Sequence, residues 1–231
     1  QRHGDIFYQR FPKLTAKWAK LRQGNRMVFL DMPESLKRGN VVTQRPSDLE
    51  TWMRNENKTD IITIGKTSKE VKTFLYKTWV EECTEIKEFF GVTFIPNGPR
   101  VTPDNKYNIW SGDFFIPRIQ GDCSLVTNHI RDVWCNGDIA TYNWVMTWLA
   151  CIFQKPDYKP PTALVLLGAQ GTGKSIIFEH GIAKILGPYF DTSADREDVV
   201  GRFSGHLVGK LLWVAEESLF AGDKRAMNKL K

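Results

Sequence analysis

The sequence predicts an α/β protein with a parallel sheet in its C-terminal half, preceded by a mixed α+β region. Two short apolar runs, residues 163–167 and 211–215, have the length and composition of buried strands. A helical pattern over 174–186 lies between them, as in the crossover that joins parallel strands. We therefore expect an accessory region over 1–118 and the sheet-containing domain over 119–231.

Length and composition indicate one or two globular domains with a hydrophobic core. The chain has 231 residues, of which 42% are hydrophobic and 25% charged, which excludes a disordered or fibrous chain. No apolar run approaches the ~20 residues of a membrane-spanning helix. Four scattered cysteines do not make a disulfide framework, which favours a reducing, cytoplasmic setting. Because the sequence opens on Gln1 and stops within a basic stretch, we expect a piece of a longer protein.

Turn and cap signals define the predicted elements of the first region. Residues 31–34 and 45–48 contain proline and acidic residues, which indicate either turns or helix starts. Residues 60–65 are typical of a short strand, and apolar residues recur at helical spacing over 68–79, which predicts a helix that Ser68 caps. Residues 91–118 alternate short apolar runs with proline and glycine turns, which predicts strands and turns.

Acidic residues mark the predicted helix starts of the second region. Asp122, with Ser124, is a candidate cap for a helix that runs to about Trp134. Asp138 is a candidate cap for the next helix, which Pro156 ends. The pattern thus predicts two helices before the apolar run at 163–167.

The strongest chemical signal is a glycine-rich loop between the predicted strand at 163–167 and the helix after it. The loop matches the pattern G-x-x-x-x-G-K-[ST] at every fixed position. Glycines let backbone N–H groups approach a phosphate, and the following helix directs its positive end to the same place. The pattern predicts an ATP site in which Lys174 reaches the β- and γ-phosphates and Ser175 ligates Mg²⁺. The predicted loop consists of Gly168, Ala169, Gln170, Gly171, Thr172, Gly173, Lys174 and Ser175.

Two carboxylates at the end of the second apolar run supply the other half of such a site. Glu216 and Glu217 directly follow residues 211–215. One carboxylate is needed near the metal and its water, and the other orients or deprotonates the attacking water. We assign Glu216 to the metal and Glu217 to the base, and the reverse order stays open.

The basic residues of the chain are concentrated near its beginning. Of the net charge of +6, the first 60 residues carry +5, from twelve basic and seven acidic side chains. Phe11, Trp18 and Phe29 interleave with these basic residues, so the region is a candidate surface for nucleic acid. A solvated helical face is the simpler interpretation.

Cys123, His129 and Cys135 are separated by five residues each and form a weaker candidate site, for zinc. Zinc sites normally use closer cysteine spacing and need a fourth ligand. Buried thiols and a histidine on a helix surface are the favoured interpretation.

The loop, the acidic pair and several flanking segments together resemble a superfamily-three helicase. More narrowly, they are similar to the helicase part of phage and plasmid primase-helicase or primase-polymerase replication proteins. The similarity covers about residues 90–231, and residues 1–90 match no family that we name. Besides the loop and the acidic pair, the segments that carry it are 108–112, 121–124, 129–131, 148–150, 154–156, 202–206 and 218–224.

The resemblance implies an AAA+-like ATPase core that binds ATP and Mg²⁺ between the subunits of a ring, usually a hexamer. It also implies ATP-driven translocation along DNA during replication, with Lys224, Lys229 and Lys231 beginning the element that contacts DNA. The family's pore hairpin, polar sensor and arginine finger would follow residue 231. We therefore expect residues 1–231 to bind nucleotide but to hydrolyse ATP and unwind DNA poorly.

Two other functions stay open at the level of sequence. A kinase uses the same type of loop but needs a lid with several arginines, and only Arg196 and Arg202 lie between the loop and the acidic pair. A non-catalytic DNA-binding or assembly module is favoured by the basic first 60 residues.

Overall fold

In the computed structural model, which describes residues 8–64, 67–112, 114, 119–169, 171–193 and 207–215, helices and short strands form two compact units. The first contains the described residues of Gln1–Thr93 and Gly98–Ile109, and the second those of Phe94–Asn97 and Trp110–Lys231. The coarse prediction of a mixed α/β protein is confirmed. The predicted domain boundary after residue 118 stays a prediction.

The first unit is a set of short helices around small sheets. Its helices and strands are, in chain order, α1 (Phe11–Lys17), β1 (Trp18–Gln23), β2 (Arg26–Asp31), α2 (Met32–Arg38), β3 (Thr43–Gln44), α3 (Pro46–Met53), β4 (Lys58–Ile64), β5 (Thr67–Thr73), α4 (Leu75–Glu82), β6 (Glu88–Phe89), β7 (Gly91–Thr93) and β8 (Lys106–Asn108), with a 3-10 turn at Arg54–Glu56. A mixed sheet has the strand order β3-β2-β1-β6, with β1 antiparallel to β2 and parallel to β6. β4 pairs with β5 antiparallel, and β7 with β8 parallel.

The predicted helix starts of the first unit are confirmed at α2 and α3. Asp31 caps α2 because its Oδ1 accepts a hydrogen bond from the Glu34 N–H at 3.1 Å. Gly39 ends this helix in the left-handed region, at φ +54°. Pro46 opens α3, where its fixed φ suits the first turn.

The helix predicted over 68–79 is wrong in its first half. Residues Thr67–Thr73 form β5, which pairs with β4 from Ile64 opposite Thr67 to Lys58 opposite Thr73. The β-branched residues of this segment favour a strand, and pairing with β4 supplies its backbone hydrogen bonds. The helix begins only at Leu75, and Leu75 and Trp79 provide its buried face at a spacing of four residues.

The aromatic residues that interleave with the N-terminal basic residues belong to the core of the first unit. Phe11, Trp18 and Phe29 are only 7%, 4% and 1% exposed. They pack with Leu49, Trp79 and neighbouring apolar side chains. These three rings are therefore excluded as stacking platforms for bases, because such a platform must be open to solvent.

The second unit contains three helical segments and a small parallel sheet, which share one hydrophobic core. Its elements are α5 (Ser124–His129), a π-helical stretch (Ile130–Trp134), α6 (Ile139–Gln154), a second π-helical stretch (Phe178–Ile182), α7 (Ala183–Leu186), a 3-10 turn (Gly187–Tyr189), β9 (Phe190–Ser193) and β10 (Leu212–Ala215). β9 and β10 are parallel, with Leu212 opposite Phe190 and Ala215 opposite Ser193. The strand predicted over 211–215 is confirmed in β10. In the described part of the chain, no helix has the length and apolar composition needed to cross a membrane.

The strand predicted over 163–167 is wrong. Residues 162–169 belong to no strand, and Val165 and Leu167 are 72% and 92% exposed. Leu164 and Leu166 pack against the core of the second unit, so burial alternates along the segment with a period of two residues. An apolar run becomes a strand only where a neighbouring strand accepts its backbone hydrogen bonds, and within the described residues β10 pairs with β9 alone.

The helices that precede the loop begin close to where the acidic residues predict. The N–H of Ser124 donates to Asp122 Oδ1 at 2.8 Å, and the N–H of Thr141 donates to Asp138 Oδ2 at 2.7 Å. α6 buries Val145, Leu149 and Ile152 and ends before Pro156. The predicted cap at Asp138 is therefore confirmed. The cap predicted at Asp122 is wrong by one residue, because Cys123 is the N-cap of α5 and makes no side-chain cap hydrogen bond, and Asp122 binds the Ser124 N–H from just before it.

We expect the cap of α6 to make stability depend on pH. Hydrogen bonds from the side chain and the backbone of Thr141 hold the pKa of Asp138 below its usual range. The stabilisation is therefore complete above the pKa of an unfolded aspartate, about 3.9, and is lost as the pH falls through the lowered value. Asp138→Ala should lower the melting temperature at pH 7 by about 2–4 °C.

Thermal melting of both proteins from pH 7 to pH 2 checks this expectation. The difference between wild type and Asp138→Ala should narrow at acid pH, whereas the exposed Asp157→Ala should match wild type throughout. A difference of equal size at pH 7 and pH 2 would contradict a charged cap.

Candidate functional site

The glycine-rich loop follows the apolar run at 163–167 and leads into a helix that is anchored in the core. Residues 176–186 are helical, and the Ser175 carbonyl accepts the first helical hydrogen bond from the Glu179 N–H at 3.0 Å. Ile177, Phe178 and Ile182 are buried. The helix is thereby fixed to the core, while Ser175 lies exposed at its start.

Two glycines shape the loop through backbone angles that other residues rarely adopt. Gly171 has φ +80° and Gly173 has φ +75°. Both lie in the left-handed region, where a Cβ atom is strained. The predicted loop pattern therefore has a conformational basis at these two positions.

The Lys174 side chain bends back over the loop that precedes it. Its Nζ donates to the carbonyl oxygens of Gly168 at 2.8 Å and Ala169 at 2.7 Å. The Thr172 hydroxyl also donates to the Ala169 carbonyl, at 3.0 Å. The loop thus curves around an ammonium group, which puts a positive charge where the motif requires one.

The sequence pattern misses one residue that the structure brings to the loop. His129, at the end of α5, places Nε2 3.2 Å from the Gly173 carbonyl oxygen. A carbonyl oxygen only accepts, so Nε2 carries the proton in this bond. Two signals in the sequence included His129, the cysteine spacing around it and the resemblance over 129–131, and neither predicted a contact with the loop.

Gly173 also lies against this histidine. A Cβ atom built on Gly173 would stand 2.9 Å from His129 Cε1 and 3.1 Å from Nε2. The separation of 2.9 Å from Cε1 is shorter than Cβ atoms show in proteins, so a residue larger than glycine would displace the imidazole ring. Glycine is required here both by φ and by the close approach of the ring.

Gly173→Ala is expected to destabilise the loop by about 1–2 kcal/mol from backbone strain alone. Displacement of His129 and loss of its hydrogen bond should add to this effect. Differential scanning calorimetry and ATP titration measure the stability and the affinity of the variant.

Gly121→Ala is the matched control for this substitution, because a Cβ atom there meets nothing within 4 Å. In Gly173→Ala combined with His129→Ala, the steric part of the effect should disappear and the strain should stay. Equal melting and equal affinity in Gly173→Ala and Gly121→Ala would refute the expectation.

The cysteines beside His129 do not assemble into a metal centre with it. Cys123 is exposed, whereas Cys135 is buried, and burial raises the pKa of the Cys135 thiol. Within the described ranges, no three histidine, cysteine, aspartate or glutamate side chains are grouped to hold a metal ion. The contact of His129 with Gly173 accounts for its position without zinc.

Several predicted site residues lie outside the part of the chain that the structure describes. These residues are Gln170 of the loop, the acidic pair Glu216 and Glu217, and the predicted DNA contacts Lys224, Lys229 and Lys231. β10 ends at Ala215, directly before the acidic pair in sequence. The roles assigned to these side chains, and the Mg²⁺ ligation assigned to Ser175 and Glu216, stay predictions.

A family model matches the C-terminal part of the chain. The family, DUF5906, is described as a family of unknown function, and the match spans residues 166–231. It begins two residues before the glycine-rich loop and includes both members of the acidic pair. No curated protein and no solved structure matches the chain. The matched segment therefore makes up less than a third of the chain, and it contains the loop and the acidic pair.

Proposed function

We propose that this chain is the nucleotide-binding part of an ATP-dependent replicative DNA helicase with an AAA+-like, superfamily-three core. The conformation of the glycine-rich loop and the position of the Lys174 ammonium are the observations that support the proposal. Gly171 and Gly173 adopt the left-handed backbone that a phosphate-binding loop uses, and the Lys174 ammonium lies over the preceding carbonyls. A core-anchored helix begins directly after Ser175.

The described residues fit a triphosphate and its magnesium ion. The loop has glycines where a Cβ atom would be strained, an ammonium group for phosphate oxygens, and the exposed Ser175 hydroxyl as a candidate Mg²⁺ ligand. Bound Mg²⁺ would neutralise charge on the phosphates. In the proposal Glu216 completes the metal site, and Glu217 orients and deprotonates the attacking water.

Direct binding and turnover measurements test the proposal. Calorimetric titration of ATP–Mg²⁺ into the chain should show saturable binding, and ATP hydrolysis by the natural protein that contains this sequence should rise on addition of single-stranded DNA. Light scattering of that protein should report the mass of an oligomer, with a hexamer as the expected state. Transfer of the γ-phosphate to an acceptor other than water would instead identify a kinase.

DNA is the second proposed partner, and exposed groups of the first unit support this part of the proposal. Trp52 is 58% exposed, and the Lys17 ammonium lies 5.7 Å from the centre of its ring. Phe90 is 56% exposed, and the Cζ atom of the Arg22 guanidinium lies 5.4 Å from the centre of its ring. Paired aromatic and cationic groups at a surface suit stacked bases and phosphates.

Ion pairs reduce the positive charge of this surface. Lys17 lies 3.5 Å from Asp31, and Arg22 lies 2.6 Å from Glu88. The Arg22–Glu88 pair is exposed, and such a pair contributes little to stability and is weakened by salt. Asp31 is buried, so salt screens its pair with Lys17 less. The aromatic side chains are therefore the better target for a test.

Trp52→Ala is expected to weaken binding of a single-stranded oligonucleotide about tenfold, because one stacked base contributes roughly 1–3 kcal/mol. Fluorescence anisotropy at two salt concentrations measures this effect. Trp144→Ala removes a ring that is 47% exposed in the second unit and should leave the affinity unchanged. Equal affinities of wild type and Trp52→Ala would remove Trp52 from the proposed DNA surface.

A further inference from the structure

We propose that His129 is a positioning residue for the phosphate-binding loop: its imidazole holds the Gly173 peptide so that the Lys174 N–H is presented to phosphate. This inference rests on the proposed nucleotide site and assigns it a residue from a different part of the chain. His129 precedes Gly173 by 44 residues, and no feature of the glycine-rich pattern includes it.

The first step is the direction of the hydrogen bond. His129 Nε2 lies 3.2 Å from the Gly173 oxygen, and an oxygen of this type only accepts. The imidazole therefore donates and restrains the orientation of the carbonyl.

The second step is the geometry of the peptide unit. The Gly173 carbonyl and the Lys174 N–H belong to one planar trans peptide, so they point in opposite directions. A carbonyl held toward His129 directs the Lys174 N–H away from it. Glycine at φ +75° has access to several backbone states, and a fixed carbonyl selects one of them.

The third step is the rigidity of the element that carries the histidine. Ile130, which follows His129, is buried, and the Trp134 ring stacks on Phe178 with centroids 5.2 Å apart and planes at 16°. Phe178 belongs to the helix that follows the loop. Because this packing ties the two elements together, the imidazole keeps its place beside Gly173.

When the N–H is already oriented for phosphate, less conformational entropy is lost on binding, and binding is therefore more favourable. Without the imidazole, the Gly173 peptide would be free to rotate and the loop would have to order as phosphate binds. The energy of one net hydrogen bond corresponds to about a tenfold change in affinity. His129 thus acts through the backbone of the loop rather than by touching the reacting atoms.

Titration of four proteins with ATP–Mg²⁺ and with inorganic tripolyphosphate tests this role. His129→Leu should bind both probes about tenfold more weakly than wild type, and His129→Gln should recover most of the loss because its amide N–H donates. His180→Leu removes an exposed histidine from the helix after the loop and should bind as wild type does. If His129→Leu does not fold, His129→Ala takes its place.

Equal affinity of wild type and His129→Leu for tripolyphosphate would overturn the inference. Failure of His129→Gln to recover binding, with melting temperatures equal to wild type, would overturn it as well. A loss confined to ATP, with tripolyphosphate binding unchanged, would also contradict it, since the loop acts on the phosphates.

A measurement without nucleotide separates this inference from the proposed function. The ¹⁵N–¹H resonance of the Lys174 amide should shift in His129→Leu and return toward its wild-type position in His129→Gln. If wild type binds neither probe, the proposed function fails, while the resonance still decides whether His129 orients the peptide. An unmoved resonance overturns the inference even where ATP binds.

Discussion

Lys174→Ala is expected to weaken ATP–Mg²⁺ binding by about 10- to 100-fold. Charge-assisted hydrogen bonds to phosphate contribute roughly 1.5–3 kcal/mol, and the substitution removes all of those that Nζ makes. The structure adds a second reason. The carbonyl oxygens of Gly168 and Ala169 now accept from Nζ at 2.8 and 2.7 Å, and without the ammonium they would present partial negative charge to the incoming phosphates.

Calorimetric titration measures the effect, and Lys184→Ala is the matched control. Lys184 is exposed on α7, within the same helical segment but away from the loop in sequence. The control should keep the affinity and the melting temperature of wild type. An unchanged dissociation constant for Lys174→Ala would mean that ATP, if it binds, does not use the glycine-rich loop.

Glu216→Gln combined with Glu217→Gln should abolish hydrolysis while nucleotide binding survives. Loss of a general base costs typically 10²–10⁴-fold in rate, so turnover should fall by at least about 100-fold. Glutamine keeps the size of glutamate and removes its charge, so the local packing should change little. The two single substitutions then show which carboxylate binds the metal ion and which one activates the attacking water.

Turnover is measured with and without single-stranded DNA in the natural protein that contains this sequence, and binding is measured on the same samples. The single variant at the metal-binding carboxylate should raise the Mg²⁺ concentration needed for ATP binding, and the other should not. Survival of ATP turnover in the double variant would refute the assignment of the acidic pair.

Local signals predicted the helices of the second unit well. Asp138 accepts from the Thr141 N–H, and Pro156 follows the end of α6, as the capping and proline rules require. Such signals depend on groups only a few residues apart. The same locality explains why the loop glycines and Lys174 were recognisable, since the motif is contiguous.

Predictions that needed a distant partner were less reliable. The run at 163–167 has the composition of a buried strand, but Val165 and Leu167 are exposed and no described strand pairs with it. The spacing of apolar residues predicted a helix over 68–79, but residues 67–73 pair with β4 and form a strand. Strand formation depends on hydrogen bonds to another segment, which composition alone does not reveal.

The amino-acid sequence by itself determined the chemical content of the candidate site: a glycine-rich loop, one lysine, one serine and a later pair of carboxylates. Only the tertiary structure decided that Phe11, Trp18 and Phe29 are core residues and that His129 contacts Gly173. The reason is physical. A motif records which groups a short segment carries, whereas burial and long-range hydrogen bonds arise from packing between segments that are far apart in the chain.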